Sequence, residues 1–149
     1  MHLNKDALGF ILHHSDLKLS RLQFIKFKAL NVTPEQWHLL NLLADEDGIN
    51  QKELANRADK NQAIVTRMLV ILERKGFIRK EPDPSDRRAF LLYLTSAGKS
   101  VHENLVILAE QTFETLLNDI SPDEVSTFRQ VLTDIYQKLT LLLSNHKLS

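Results

Sequence analysis

Apolar residues recur at intervals of three and four along most of this chain, and the one stretch that breaks the rule, Phe77 to Leu94, constrains the fold most. There the spacing gives way to two strand-like runs, Phe77-Ile78-Arg79-Lys80-Glu81 and Phe90-Leu91-Leu92-Tyr93-Leu94. The intervening Pro82-Asp83-Pro84-Ser85-Asp86-Arg87-Arg88 is a charged loop with two prolines, which can only be a hairpin tip. Elsewhere the chain has too few turn-formers for a sandwich or barrel of many short strands, with 4 Gly and 4 Pro in 149 residues. At 43% hydrophobic and 26% charged residues it can bury a real core. The expected class is therefore mainly α with a small β-hairpin.

Six helices follow from periodicity and capping. From about Lys5 to Lys28, the apolar Ala7, Phe10, Ile11, Leu17, Phe24 and Ile25 alternate with charged residues as on an amphipathic helix. Thr33-Pro34-Glu35-Gln36 supplies a hydroxyl cap, proline at the first helical position and glutamine at the third, and starts a second helix through Trp37, Leu39, Leu40, Leu42 and Leu43. Asp45-Glu46-Asp47-Gly48 stops it, and Asn50 with Glu53 opens a short third. Asn61 caps a fourth, which packs through Val65, Met68 or Leu69, and Leu72 and ends at Gly76. At 100° per residue its opposite side carries Gln62, Ala63, Thr66, Arg67 and Val70. Thr95 caps a fifth helix with the stripe Leu105, Leu108, Ala109, Phe113, Leu116 and Ile120. Ser121-Pro122-Asp123-Glu124 opens a sixth through Val125, Phe128, Val131, Leu132, Ile135, Leu139 and Leu142, with almost no loop before it and a frayed tail from Ser144 to Ser149.

Helix, turn, helix and a basic hairpin make a winged helix-turn-helix, whose second helix enters the DNA major groove. Charge is arranged to match. The net is zero, yet residues 51–100 hold 11 basic and 6 acidic side chains, while residues 1–50 and 101–149 are net acidic. Gln62 can make a bidentate contact to adenine, Thr66 offers a hydroxyl and a methyl, and Arg67 can reach a guanine edge or a phosphate. Arg87 and Arg88 suit a narrow minor groove. An isolated polar helix face or basic turn is ordinarily just solvated; their succession in one unit points to DNA.

Other classes fit less well. There is no Gly-rich phosphate loop, activated nucleophile or interpretable pair of carboxylates, so no enzyme and no cofactor is expected. With no cysteine, thiol chemistry and disulfides are closed. No signal peptide is read near Met1, and no apolar run approaches the ~20 residues needed to span a bilayer, so a cytoplasmic location is expected. His13, His14, His38 and His102 lack metal-ligand spacing, and no metal is assigned. Phe10, His14, Phe24, Trp37 and His38 could line a ligand pocket, against the simpler reading that most of these aromatics pack a core. Two alternatives stay open: a winged helix that binds protein rather than DNA, and a metal-sensing regulator using histidines.

Leu54-Ala55-Asn56-Arg57, Val65-Thr66-Arg67-Met68-Leu69, Leu72-Glu73-Arg74-Lys75-Gly76-Phe77-Ile78, and Asp86-Arg87-Arg88 followed by Leu94-Thr95-Ser96-Ala97-Gly98 together resemble the MarR family of bacterial transcription regulators. The resemblance covers nearly the whole chain and rests on the ordered combination. It implies a homodimer joined by residues 1–32 and 96–149, with a winged helix-turn-helix at 33–95 on a pseudo-palindromic operator. It further implies a repressor relieved by a small phenolic or other amphipathic effector. The DNA-binding residues are then Asn61, Gln62, Ala63, Thr66, Arg67, Arg87 and Arg88, within a recognition helix at about 61–75 and a wing at about 82–88, with Asp86 supporting the wing. The chain departs from the family's usual turn before the recognition helix, carrying Asp59 where glycine is usual and Lys60 where an apolar residue is.

Overall fold

The computed structural model describes residues 5–147 and the side chains of 7–146. Helix α1 spans Lys5–Phe27 and passes through a 3-10 turn, Lys28–Leu30, to α2 at Pro34–Asp45. Next come β1 (Ile49–Asn50), α3 (Gln51–Arg57), α4 (Gln62–Arg74), β2 (Ile78–Asp83), β3 (Asp86–Leu94), α5 (Ser96–Leu116) and α6 (Pro122–Lys147). The mainly helical class with a small hairpin is what the chain adopts.

The caps form as the sequence expects. Thr33 Oγ1 accepts from the Gln36 amide and Gln36 Oε1 accepts from the Thr33 amide, each at 3.2 Å, which completes a reciprocal box with Pro34 at the first position. Asn50 accepts from the Glu53 amide at 2.8 Å, and Asn61 from the Ile64 amide at 2.9 Å. Ser121 accepts from the Glu124 amide at 3.2 Å and opens α6.

Four details differ from the sequence reading. The sheet has three strands in the order β1-β3-β2, all antiparallel; β1, paired as Ile49 with Leu92 and Asn50 with Leu91, is too short to leave a periodic trace. The hairpin runs almost to its tip, so Pro82, Asp83, Asp86, Arg87 and Arg88 lie in strands rather than in a loop. Pro82, opposite Phe90, is tolerated because β2 is an edge strand whose missing N–H costs no central ladder bond. Helix α5 stops at Leu116, and Ile120 belongs to the turn before α6, where Asn118 and Asp119 favour turn geometry. Ser144 to Lys147 are helical, with Ser144 Oγ donating to the Thr140 carbonyl at 3.0 Å, and Leu148 and Ser149 lie outside the described residues, as do residues 1–4.

Two compact units divide at Ala109 and Glu110. The first holds the core: Phe27, Leu39, Leu40, Leu43, Leu54, Val65, Leu69, Leu72, Leu92 and Leu105 are fully buried, and Ile78 and Leu94 nearly so. Among the described side chains of α1, Gln23 and Phe27 alone are buried, while Phe10, Ile11, Leu17, Phe24 and Ile25 of the expected stripe are exposed, along with Leu8, Leu12 and Leu22. In the second unit Phe113, Leu117, Val125, Phe128 and Leu132 line one groove, and Leu139, Leu141, Leu142 and Leu143 are more than half exposed.

The start of α5 is set by backbone contact. Gly98 is buried, and a Cβ there would overlap the carbonyl oxygen of Phe77. Neither group can rotate away, because the obstacle is main chain. Gly98→Ala is therefore expected to cost about 1–3 kcal/mol, the usual penalty of overpacking, read as a lower urea midpoint at unchanged slope.

Candidate nucleic-acid interface

Burial of Val65, Leu69 and Leu72 sets the rotation of α4, and the residues on its other side, Gln62, Ala63, Thr66, Arg67 and Val70, are all exposed. Its N-terminal amides carry the positive end of the helix dipole. The Asn61 side chain is committed to the cap, so its free groups are the amide hydrogens. Thr66 Oγ1 donates to the Gln62 carbonyl at 2.7 Å and accepts from the Gln51 amide of α3. That leaves the Thr66 methyl as its unengaged surface, a division of roles that helical periodicity does not reveal. Gln51 is the residue that the sequence reading passed over; as the first residue of α3 it has no periodic signal, and only the fold brings it beside Thr66.

The turn between α3 and α4 forms despite its departures. Asp59 takes φ 54°, the left-handed region in which glycine is favoured and short polar side chains are tolerated. The Asp59 amide donates to Asn56 at 3.3 Å and the Lys60 amide to Ala55 at 3.2 Å, closing the end of α3. Arg57 pairs with Glu53 on its own helix and with Glu46 after α2, and both carboxylates hold its guanidinium above its ordinary pKa.

On the hairpin, the tip is closed by Asp83, whose carboxylate accepts from the Ser85 amide at 2.9 Å and hydroxyl at 2.7 Å. These bonds hold the Asp83 carboxyl below its ordinary range. Asp86 Oδ1 accepts from the Arg88 amide at 2.9 Å and so braces the backbone that carries the arginines. Arg87 and Arg88 are exposed and form no ion pair among the described residues. The strand register slips here, from Pro82 opposite Phe90 to Asp83 opposite Asp86, so Arg87 and Arg88 lie in an irregular stretch of β3 with no paired residue in β2. Arg79, by contrast, is occupied: it pairs with Glu81 and lies over the Tyr93 ring, 4.4 Å from its centroid.

The expected aromatic pocket residues fall into separate pairs. Phe10 stacks on His14 with ring centres 4.0 Å apart, and Trp37 lies 5.4 Å from His38 and 5.4 Å edge-on from Phe27. Phe24 is exposed. Trp37 Nε1 is buried and has no hydrogen-bond partner among the described residues. Partial burial, then the neighbouring Lys60, push the His38 imidazole below its ordinary pKa. His102 bonds Asn41 at 2.8 Å, and among the described residues no three His, Cys, Asp or Glu side chains gather as metal ligands do. Among those residues no helix is long and apolar enough to cross a membrane.

Comparison with known proteins agrees with this architecture. The model of the MarR family matches residues 32–90. The transcriptional regulator HosA of Escherichia coli O111:H- is 28% identical over 102 residues, 68% of this chain and 76% of that protein. An HTH-type transcriptional regulator of Bacillus subtilis, YybA, is 30% identical over 114 residues, 76% of each chain. Among solved structures, a mutant of Escherichia coli MarR complexed with operator DNA superposes with a TM-score of 0.79 at 28% identity, covering 87% of this chain and 93% of that one. With the helix-turn-helix, the hairpin and the flanking helices all present, the chain belongs to the MarR family and is a transcriptional regulator, not an enzyme.

Proposed function

We propose that the chain is a homodimeric, effector-responsive repressor that binds a pseudo-palindromic DNA operator, with α4 in the major groove and the β2–β3 hairpin in the adjacent minor groove. The observation that carries this reading is the pairing of an exposed polar face at the start of α4 with a hairpin whose Arg87 and Arg88 side chains form no ion pair among the described residues. The Escherichia coli MarR structure, similar across 87% of this chain, is complexed with operator DNA, which supports the same partner here. Residues 33–95 form the DNA-binding segment on this reading. Gln62 and Arg67 read base edges, Ala63 and the Thr66 methyl add apolar contact, and Asn61 amide hydrogens approach phosphate. Arg87 and Arg88 supply the wing's cations, and Asp86 holds Arg88 in register.

Support for self-association comes from apolar surface. Segments 1–32 and 96–149 pair two copies on this reading, since Phe10, Ile25, Phe128, Leu139 and Leu142 are each about half exposed or more in one chain. With no cysteine in the chain, relief of binding comes from a reversible ligand rather than thiol oxidation. A small amphipathic or phenolic molecule beside Trp37 and His38 is the effector site proposed. The unpartnered Trp37 Nε1 is a donor such a ligand could use.

Selection of bound sequences from random or genomic DNA, followed by salt titration of the selected site, tests the DNA reading. Arg88→Ala is expected to weaken binding across sequences and flatten log affinity against log salt by about one unit per subunit. Gln62→Ala should instead relax preference at one symmetric pair of positions, at a cost of about 1–3 kcal/mol for each bidentate hydrogen-bonded pair removed. Unchanged affinity and slope in Arg88→Ala would remove the wing from the interface. In sedimentation, wild type is expected at twice its 17.2 kDa chain mass and Leu139→Glu as a monomer.

A further inference from the structure

At the far end of α4, side-chain hydrogen bonds reach far back along the chain. Lys75 is the C-cap of this helix, and its Nζ donates to the Asn31 carbonyl at 2.6 Å and to Gln36 Oε1 at 3.1 Å. Those two acceptors sit on either side of the joint between α1 and α2. Asn31 ends the 3-10 turn in a left-handed conformation, φ 56°, with its amide bonded to the Lys28 carbonyl at 3.0 Å. Gln36 is buried, and the same Oε1 accepts from the Thr33 amide in the box that starts α2. One ammonium thus holds both sides of a corner that lies 39 to 44 residues earlier in the chain.

A lysine is suited to this position for a physical reason. Its three donors can serve two acceptors at once, and bonds from a charged donor are stronger than neutral ones. The ammonium meets neutral oxygens and forms no ion pair with a carboxylate among the described residues, and burial pushes its pKa down, so its placement is set by these two bonds rather than by charge pairing. One residue further on, the Gly76 carbonyl accepts from Thr95 Oγ1 at 2.5 Å, and Thr95 Oγ1 caps α5 by accepting from Gly98 at 3.0 Å. The end of α4 is therefore joined to the α1–α2 corner and to the start of α5 within two residues.

We propose that Lys75 is a positioning residue for DNA binding: its clamp on Asn31 and Gln36 sets the pose of α4, and so the alignment of Gln62, Thr66 and Arg67, without Lys75 touching DNA. This rests on the DNA-binding reading above. It makes the α1–α2 corner the place from which a rearrangement of α1 reaches the recognition helix.

The test combines operator binding over a range of salt with amide hydrogen exchange of α4 and residues 31–36, in wild type, Lys75→Met, Lys75→Arg and Gln36→Glu. Lys75→Met is expected to lose about tenfold in operator affinity and to narrow the ratio of matched to scrambled sites, with the salt slope unchanged and exchange faster in both segments. Lys75→Arg, which keeps the donors, should recover most of both. Gln36→Glu retains the box acceptor and gives Lys75 a carboxylate, so its exchange should slow even if Lys75→Met does not fold. A salt slope lower by about one unit in Lys75→Met would overturn the proposal, because Lys75 would then be a phosphate contact. Exchange that is unaltered in both Lys75→Met and Gln36→Glu would overturn it too. Failure of the wild type to retain any DNA would instead sink the DNA-binding reading, with the clamp still decided by exchange.

Discussion

Burial of Val65, Leu69 and Leu72 in the same core as Leu39, Leu40, Leu43 and Leu54 is the constraint on which the rest depends. Each of these side chains is worth roughly 1.5–3 kcal/mol in burial alone. Because all three lie on one stripe of α4, the helix cannot rotate about its axis without bringing apolar atoms into water. The exposed face is therefore determined by the buried one. Gln62 and Arg67 point outward because Val65, Leu69 and Leu72 point in.

Rotation is only one of the coordinates of a helix, and the others are set by polar contacts at its ends. At the start, Asn61 supplies the cap and Asp59 the left-handed turn that redirects the chain from α3. Thr66 is held by Gln51, so α3 and α4 are also joined by a side-chain bond on the face that stays in water. At the end, Lys75 and the Gly76 carbonyl join α4 to the chain before and after it. The hairpin follows from the same corner, since the Thr95 amide bonds the Phe77 carbonyl at 3.1 Å and aligns Ile78 with Leu94. The operator-reading role proposed for this chain needs helix and wing in fixed relation, and the contacts that provide it are almost all at helix ends.

Surface that one chain leaves uncovered explains the apolar load of the outer helices. A helix whose leucines pack only into its own chain shows one buried stripe, as α2 and α4 do. Among the described side chains of α1, Gln23 and Phe27 alone are buried, and along α6 Leu139, Leu141, Leu142 and Leu143 stand exposed. Side chains of this kind are costly in water in such density, which is why a second copy is part of the functional reading.

How much was legible in the sequence depended on the range of the interaction. Caps were readable because a Thr33 or Asn61 side chain bonds an amide three residues away, so cause and effect lie in one short window. The buried stripe of α4 was readable for the same reason, as helix period alone relates Val65, Leu69 and Leu72. The support that Asp86 gives the Arg88 amide was implied by the family resemblance rather than by local spacing. What tertiary structure decided were the pairings between distant segments. It placed Ile49 and Asn50 against Leu92 and Leu91 as a third strand, put Arg87 and Arg88 in the register slip of the hairpin, and brought Gln51 to Thr66. It alone set Lys75 against Asn31 and Gln36, because a hydrogen bond across 39 or 44 residues leaves no periodic mark: its geometry exists only once the core has brought both partners to the same corner.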